Sequence, residues 1–349
     1  MKPLKGVTVL DISRLLPGGF ASLLLGDLGA RIIKVEQPGV GDYYRAILKG
    51  SPLLGDQADI INQGKESLTL DLKNPEGRGI FLKLVRKADV VLENFRPGVL
   101  KKLSLDYLRL KKINPRVILC SVTGLGQKGP DASLAGHDLN YLGLSGLLSR
   151  NRDAGGRMVI PDFQVIDLAA GYDAAFKIAA ALHQRTRSKK GAWIDVSMVG
   201  TGISMARLYS GDTFKKPSPV AGGLIRYGVY ETADARHVTL GALEPKFWLN
   251  FCEAIGRKDW RRAAEGYEFL GEGARSELRE IFRGKTLQEW VAIGRRHDVC
   301  LFPVEDVPSK KEAVRRPTPK VGQQTRQILK GLGYGAREIE RLKKQGVIE

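Results

Sequence analysis

Cysteine and histidine are scarce in this chain of 349 residues, which contains three of the first and four of the second. The cysteines, Cys120, Cys252 and Cys300, are odd in number and lie far apart in apolar stretches. The sequence therefore favours neither a disulfide framework nor a CxxC metal site. The histidines show no ligand-like spacing, so we predict no bound metal.

Long apolar runs are also missing. No stretch reaches the ~18 apolar residues that a membrane-spanning helix needs. The first residues, MKPLKGVTVLDIS, lack the apolar region of a secretion signal. These features predict a cytoplasmic protein without a membrane partner.

Acidic residues are few relative to basic ones, 38 against 56, which gives a formal net charge of +18. This excess favours anionic partners, although it also serves solubility. The basic residues are dispersed, and no helix-turn-helix or basic patch interleaved with aromatic residues is present, which argues against nucleic acid. A small molecule rich in phosphate fits the charge better.

Strands alternate with helices through the first half of the chain. The segments GVTVLDIS, RIIKVEQPG, SLTLDL, DVVLENF and RVILCSV are typical of buried strands, and ASLLLGDLGA, PEGRGIFLKLVRKA and PGVLKKLSLDYLRLKKINP of the helices between them. This order predicts an α/β fold with a parallel sheet covered by helices on both faces. The first strand–helix–strand unit lacks the GxGxxG pattern, so we do not infer NAD.

Ligands of such sheets bind beyond the carboxyl ends of the strands. Those ends are predicted at residues 37–41, 71–73, 94–98 and 123–126. The cations best placed to meet phosphates there are Lys65, Arg96 and Arg45. The Pro- and Gly-containing segment GDTFKKPSPVAGG then predicts a domain boundary, after which YGVYETADARHVTLGAL has the pattern of a β-hairpin that begins a smaller α+β domain.

Ionisable residues stand in unusually apolar surroundings at three places. His137 and Asp138 lie within AGHDLNYLGLSGLL, Asp167 within FQVIDLAAGYDAAF, and Glu244 within HVTLGALEPKFW. A charge removed from water is costly unless paired, so each is either a hydrogen-bonded structural group or a group with a tuned pKa. Asp167 is compatible with two interpretations. It could be the N-cap of the following helix, or it could be a reactive group beside the free backbone N–H donors of that helix.

Motifs in a fixed order along the whole chain resemble the family III CoA-transferases, in particular their α-methylacyl-CoA racemase branch. They are LDISRLLPGG, ARIIKVEQPG, NQGKESLTLDLKNPEG, ENFRPGV, NPRVILCSVTGLGQKGP, AGHDLNY and LGYGAREIERLKKQGVI. The resemblance implies a Rossmann-like large domain, residues 1–215 completed by 318–349, and a small α+β domain, residues 222–317. It also implies an interlocked homodimer, a CoA thioester as substrate without a further cofactor, and a place in fatty acid metabolism.

The resemblance implies His137, Asp167 and Glu244 as catalytic residues, with Glu244 supporting the histidine. It implies a CoA site formed by Gln37, Leu70, Asp71, Leu72, Lys73, Arg96, Gly136, Asp138, Leu139, Asn140 and Tyr141. Gln37 departs from the pattern, because racemases of the family often carry arginine there. One contact to a CoA phosphate is therefore in question.

Three functions follow as hypotheses. A racemase would remove the α-proton of a 2-methylacyl-CoA on one face and return a proton on the other, with a carboxyl group and an imidazole whose pKa values burial brings together. Backbone donors at the start of the helix after Asp167 would then hold the enolate oxygen. A CoA-transferase would use Asp167 as a nucleophile that forms an acyl anhydride, and a binding protein would hold acyl-CoA without catalysis.

Overall fold

The structure is a computed structural model that describes residues 1–47, 57–153, 156–209, 219–264 and 272–349. Within these ranges the strands are β1 Thr8–Asp11, β2 Arg31–Glu36, β3 Glu66–Thr69, β4 Val90–Glu93, β5 Ile118–Thr123, β6 Trp193–Ser197, β7 Tyr227–Glu231, β8 His237–Gly241 and β9 Leu301–Pro303.

The α-helices in the same ranges are α1 Leu15–Asp27, α2 Tyr43–Ile47, α3 Gln57–Asn62, α4 Pro75–Val85, α5 Val99–Lys102, α6 Tyr107–Ile113, α7 Asp138–Leu144, α8 Leu147–Arg150, α9 Val165–Ser188, α10 Met198–Ala206, α11 Pro245–Ala254, α12 Glu272–Arg283, α13 Leu287–His297, α14 Lys310–Ala313, α15 Thr325–Gly331 and α16 Ala336–Lys344.

Six strands form one sheet in the order β3-β2-β1-β4-β5-β6, with every neighbouring pair parallel. Alternate side chains of these strands belong to two buried hydrophobic clusters, one on each face of the sheet. Helices α4, α6, α15 and α16 contribute to one cluster, and α1, α9 and α10 to the other. The predicted α/β class with a helix-covered parallel sheet is confirmed.

The chain divides into two compact units. The larger comprises residues 1–150, 160–210 and 308–349, and the smaller comprises residues 151–159 and 211–307. Residues 308–317 therefore group with the larger unit, whereas the sequence placed them in the small domain. Hydrogen bonds explain this, because the Gln63 side chain accepts from the backbone N–H groups of Arg315 and Arg316 at 2.8 and 3.2 Å.

The C-terminal segment covers the β3 edge of the large sheet. Ser67 N donates to Gln324 Oε1 at 2.8 Å, and Thr69 N donates to Thr325 Oγ1 at 3.0 Å. Side chains of α15, α16 and the last residues are buried in the same cluster as the sheet. An edge strand with unpaired backbone groups is thereby protected by its own chain.

Two predicted helices differ in the structure. α1 begins at Leu15, so the segment Pro17–Gly19 lies inside its first turns instead of leading into it. The segment predicted as one helix from residue 97 to 115 forms α5 and α6. The helix is interrupted at Ser104, whose φ is +57°. Asp106 then caps α6, because its carboxylate accepts a hydrogen bond from Leu108 N at 3.1 Å. A side chain that satisfies free N–H groups starts a new helix here.

The smaller unit has an antiparallel sheet in the order β7-β8-β9. The predicted hairpin is confirmed as β7 and β8, and its turn includes Ala235 at φ +54°. The core of this unit contains packed aromatic rings, among them Phe251, Phe282 and Trp290.

Candidate functional site

The carboxyl ends of β1 and β4 are adjacent at the point where the strand order of the large sheet reverses. Asn94, directly after β4, holds the segment after β1 through two hydrogen bonds. Arg14 N donates to Asn94 Oδ1 at 2.7 Å, and Asn94 Nδ2 donates to the Arg14 carbonyl at 2.6 Å. Ligands of open α/β sheets bind at this reversal point.

A first cavity of about 280 Å³ opens beside these loops, within the larger unit. Asp167 and His137 both line it, together with Gly136, Tyr141 and Thr123. The structure therefore brings two of the three predicted catalytic residues to one cavity. The remaining lining is mostly apolar and includes Leu15, Pro17, Val122, Leu134 and Met198.

Asp167 lies in the first turn of α9 and not at its N-cap, which is Gln164. Burial, reinforced by the neighbouring charge of Asp138, raises the pKa of the Asp167 carboxyl to about 7. No described residue donates a hydrogen bond to this carboxylate. A carboxyl group in this state can both accept and give a proton near neutral pH.

The backbone donors at the start of α9 are occupied. Asp138 Oδ1 accepts from Ile166 N at 2.7 Å and from Asp167 N at 2.8 Å. These two N–H groups are therefore not free to hold the enolate oxygen as predicted, because a carboxylate already satisfies them. Asp138, predicted as a CoA contact, fixes the start of the helix that presents Asp167.

His137 is exposed, contrary to the expectation that it is buried. It precedes α7, and its backbone N donates to Asn140 Oδ1 at 3.0 Å. The next predicted CoA contacts, Leu139 and Asn140, are exposed and line neither this cavity nor the second one described below. Tyr141 is buried and donates through its hydroxyl to the Gly136 carbonyl at 2.7 Å, which shapes the wall beside His137.

Thr123 ends β5 at the wall of the first cavity. Its Oγ1 is buried and has no hydrogen-bond partner among the described residues. A buried hydroxyl without a partner is rare and indicates a position reserved for a ligand or a water molecule. The predicted strand end at residues 123–126 pointed to this position without identifying its role.

A second cavity of about 440 Å³ lies over the carboxyl ends of β1, β2 and β3. Six residues of the predicted CoA site line it, namely Gln37, Leu70, Asp71, Leu72, Lys73 and Arg96. Phe95 and Arg96 line both cavities, so the two are neighbours. Arg14 and Tyr43 also line the second cavity. Sequence reasoning missed Arg14 because it did not consider the end of β1, and it missed Tyr43 because this residue lies beyond the strand end predicted at residues 37–41.

A buried network of charges lies at the base of these loops. Lys34 Nζ pairs with Asp42 at 2.8 Å and with Asp11 at 3.4 Å, and all three side chains are buried. Burial alone would lower the pKa of Lys34, but the two carboxylates outweigh it and the pKa lies above its ordinary value. The network connects β1, β2 and the loop before α2 beneath the second cavity.

Two of the cations predicted to meet phosphates belong to structural pairs. Lys65 is buried, pairs with Asp11 at 3.4 Å and donates to the Gly19 carbonyl at 3.0 Å. Its burial, with the charge of Lys34, lowers its pKa to about 8. Arg45 pairs with Glu36 at 2.9 Å. Only Arg96 of the three lines a cavity described here.

Glu244 belongs to the smaller unit, where it is exposed and precedes Pro245 at the start of α11. In the described ranges no group of three or more His, Cys, Asp or Glu side chains is arranged to hold a metal ion. A search of the same ranges found no helix with the length and hydropathy of a membrane span.

The fold and the site define an α/β protein with two neighbouring cavities at the reversal point of a parallel sheet, one of them lined by an aspartate whose pKa is raised to about 7. The chain belongs to CoA-transferase family III, whose sequence profile matches residues 4–334. The alpha-methylacyl-CoA racemase of Homo sapiens is 31% identical over 99% of this chain and 97% of its own length. The acetyl-CoA:oxalate CoA-transferase of Acetobacter aceti is 44% identical over 87% of this chain and 81% of its own.

A solved structure has the same fold. The CAIB/BAIF family protein from Brucella suis aligns with a TM-score of 0.80 and 25% identity, over 95% of this chain and 99% of its own. Family membership makes this chain an enzyme that acts on acyl-CoA.

Proposed function

We propose that this protein is a racemase or epimerase of 2-methylacyl-CoA thioesters. The observation that supports this most directly is the meeting of His137 and Asp167 in one cavity, with the pKa of Asp167 raised to about 7. Inversion at the α-carbon needs one group to take a proton and another to give one, and both must change protonation state near neutral pH.

In the proposed reaction, one of the pair removes the α-proton and the electrons of the C–H bond move into the thioester carbonyl to form an enolate. The other group delivers a proton to the opposite face, and the electrons return to form the new C–H bond. No described residue donates a hydrogen bond to the Asp167 carboxylate. Its affinity for the proton is therefore not lowered by such a donor. The support of the histidine by Glu244 stays a prediction of the sequence analysis.

The enolate oxygen needs a hydrogen-bond donor, and the start of α9 is engaged by Asp138. We assign this role to the hydroxyl of Thr123, which lies at the cavity wall without another partner among the described residues. A donor aimed at developing charge lowers the barrier more than one that binds substrate and transition state equally.

The second cavity would hold the CoA moiety, with Lys73 and Arg96 toward its phosphates. Because Arg96 lines both cavities, a thioester could reach from the nucleotide site to Asp167. The predicted homodimer forms part of this proposal, and light scattering of the purified protein would test it.

A CoA-transferase is the second candidate, favoured by the 44% identity with the Acetobacter aceti enzyme. In that reaction the Asp167 carboxylate would attack the thioester carbonyl and the C–S bond would break. CoA would depart as the thiolate, and the acyl group would remain on Asp167 as a mixed anhydride. A carboxyl whose pKa is about 7 is partly ionised at neutral pH, which suits a group that both takes and gives a proton.

Hydrogen exchange in deuterium oxide separates the candidates. With each enantiomer of a 2-methylacyl-CoA and no acceptor acid, a racemase incorporates α-deuterium and inverts the centre, whereas a transferase need not do either. We expect His137→Ala and Asp167→Asn to slow inversion by about 10²–10⁴-fold, and Glu244→Gln to slow it less. Asp162→Asn removes the same charge from an exposed residue outside both cavities and serves as the matched control.

The opposite pattern would refute the racemase. Mass spectrometry would then show no α-deuterium, while CoA passed from a labelled thioester to an added carboxylic acid and Asp167 was trapped as an acyl adduct. Tight binding of acyl-CoA with neither reaction would indicate a binding protein.

A further inference from the structure

We propose that Arg14 supplies the positive charge for the CoA diphosphate that position 37 does not supply. This inference rests on the proposed function, because it takes a CoA thioester as the ligand of the second cavity. Gln37 is neutral, and it lines this cavity together with Arg14.

The backbone of Arg14 is fixed on both sides. Asn94 receives its N–H at 2.7 Å and donates to its carbonyl at 2.6 Å. The next residue, Leu15, has φ +62° and donates its N–H to Asp42 Oδ1 at 3.1 Å. Asp42 is itself held by the buried Lys34. The backbone position of Arg14 is therefore set by these hydrogen bonds and by the buried charge network that includes Lys34 and Asp42.

The Arg14 guanidinium group lies over two aromatic rings. Its Cζ is 4.9 Å from the centroid of the Tyr43 ring and 5.3 Å from that of Phe95. Aromatic rings at such distances stabilise the charge of a guanidinium. The N–H donors point outward in the plane of the group, so they remain available to an oxygen ligand.

No carboxylate of a described residue pairs with Arg14. The same holds for Arg96 and for the Lys73 ammonium, which line the second cavity with it. Two acidic side chains of this cavity, Glu36 and Asp42, are instead engaged by Arg45 and Lys34. Asp71 accepts the backbone N–H of Lys73 at 2.9 Å. Three cations without described partners facing one cavity suit a ligand with several phosphate charges.

Calorimetry with free CoA would test the inference, using the full-length protein. We expect Arg14→Gln to raise the Kd for CoA by about 10- to 100-fold, the range expected for one charge-assisted contact. Adding Gln37→Arg to that variant should restore most of the affinity, because the charge returns at the other wall of the cavity. Arg109→Gln, an exposed residue that lines neither cavity, should bind CoA like the parent.

A purely structural role for Arg14 gives a different result. Turnover of an acyl-pantetheine thioester, which lacks the nucleotide, should be unchanged in Arg14→Gln if the residue only contacts phosphate. An equal loss with CoA and pantetheine substrates, or a Kd for CoA within twofold of the parent, overturns the inference. Arg14→Lys keeps a charge without the stacked plane and should bind with intermediate affinity, which provides a second test if the glutamine variant folds poorly.

The two proposals fail in different ways. If the parent does not bind CoA at low ionic strength, the proposed function is wrong and the inference falls with it. If the parent binds CoA and Arg14→Gln binds equally well, only the inference about Arg14 is wrong.

Discussion

Replacing Asp167 by asparagine should make the protein more stable above pH 7 while it slows inversion by about 10²–10⁴-fold. The carboxyl lies in an apolar cavity, and no described residue donates a hydrogen bond to it. Burial and the charge of Asp138 raise its pKa from 3.8 to about 7. The folded protein therefore binds this proton more tightly than the unfolded chain, and the free energy of unfolding falls as pH rises from about 4 to about 7.

The magnitude follows from the two pKa values. A difference of roughly three pH units at about 1.36 kcal/mol each gives roughly 4 kcal/mol. The side chain is half-buried, so solvent screening reduces the effect, and we expect about 2 kcal/mol. Asparagine keeps the shape and carries no charge, so it avoids this loss above pH 7. Below pH 4 both proteins are neutral at this position and the difference should vanish.

Urea denaturation at a series of pH values from 4 to 8.5 measures this directly. The exposed control Asp162→Asn should change the free energy of unfolding by less than about 0.5 kcal/mol throughout. If Asp167→Asn is no more stable than the parent at pH 8, the carboxylate is not desolvated. The argument for a proton-transfer role would then lose its physical basis.

Two further predictions concern residues that sequence reasoning missed. Lys34→Met should destabilise the protein by about 3–5 kcal/mol in urea denaturation, because Asp42 would stay buried without its cation and Asp11 would keep only Lys65. The exposed Lys87→Met should have little effect. A loss below about 1 kcal/mol for Lys34→Met would contradict the argument from the buried network. Thr123→Val should reduce α-deuterium exchange by about 10²-fold or more, because it removes the hydroxyl proposed to hold the enolate oxygen. CoA binding and stability should not weaken, because valine keeps the shape and the hydroxyl has no partner among the described residues. Unchanged exchange would exclude Thr123 as the enolate donor.

The sequence by itself determined the architecture of the large sheet. Alternating apolar strands and amphipathic helices leave few ways to bury both faces, so a parallel sheet followed from the pattern. The strand-end rule then placed Gln37, Lys73 and Arg96 at the correct edge, and all three line the second cavity. Local chemistry of this kind is readable because it depends on neighbours in the chain.

Tertiary structure alone decided which of these groups are available. Lys65 and Arg45 were predicted to meet phosphates together with Arg96, but Asp11 and Glu36 engage them, 54 and 9 residues away along the chain. Asp138 stands beside His137 in the sequence, and its carboxylate meets the start of α9 almost 30 residues later. Arg14 depends on rings at positions 43 and 95. Pairing across such separations is set by how the elements pack, because desolvation and hydrogen bonding act on neighbours in space.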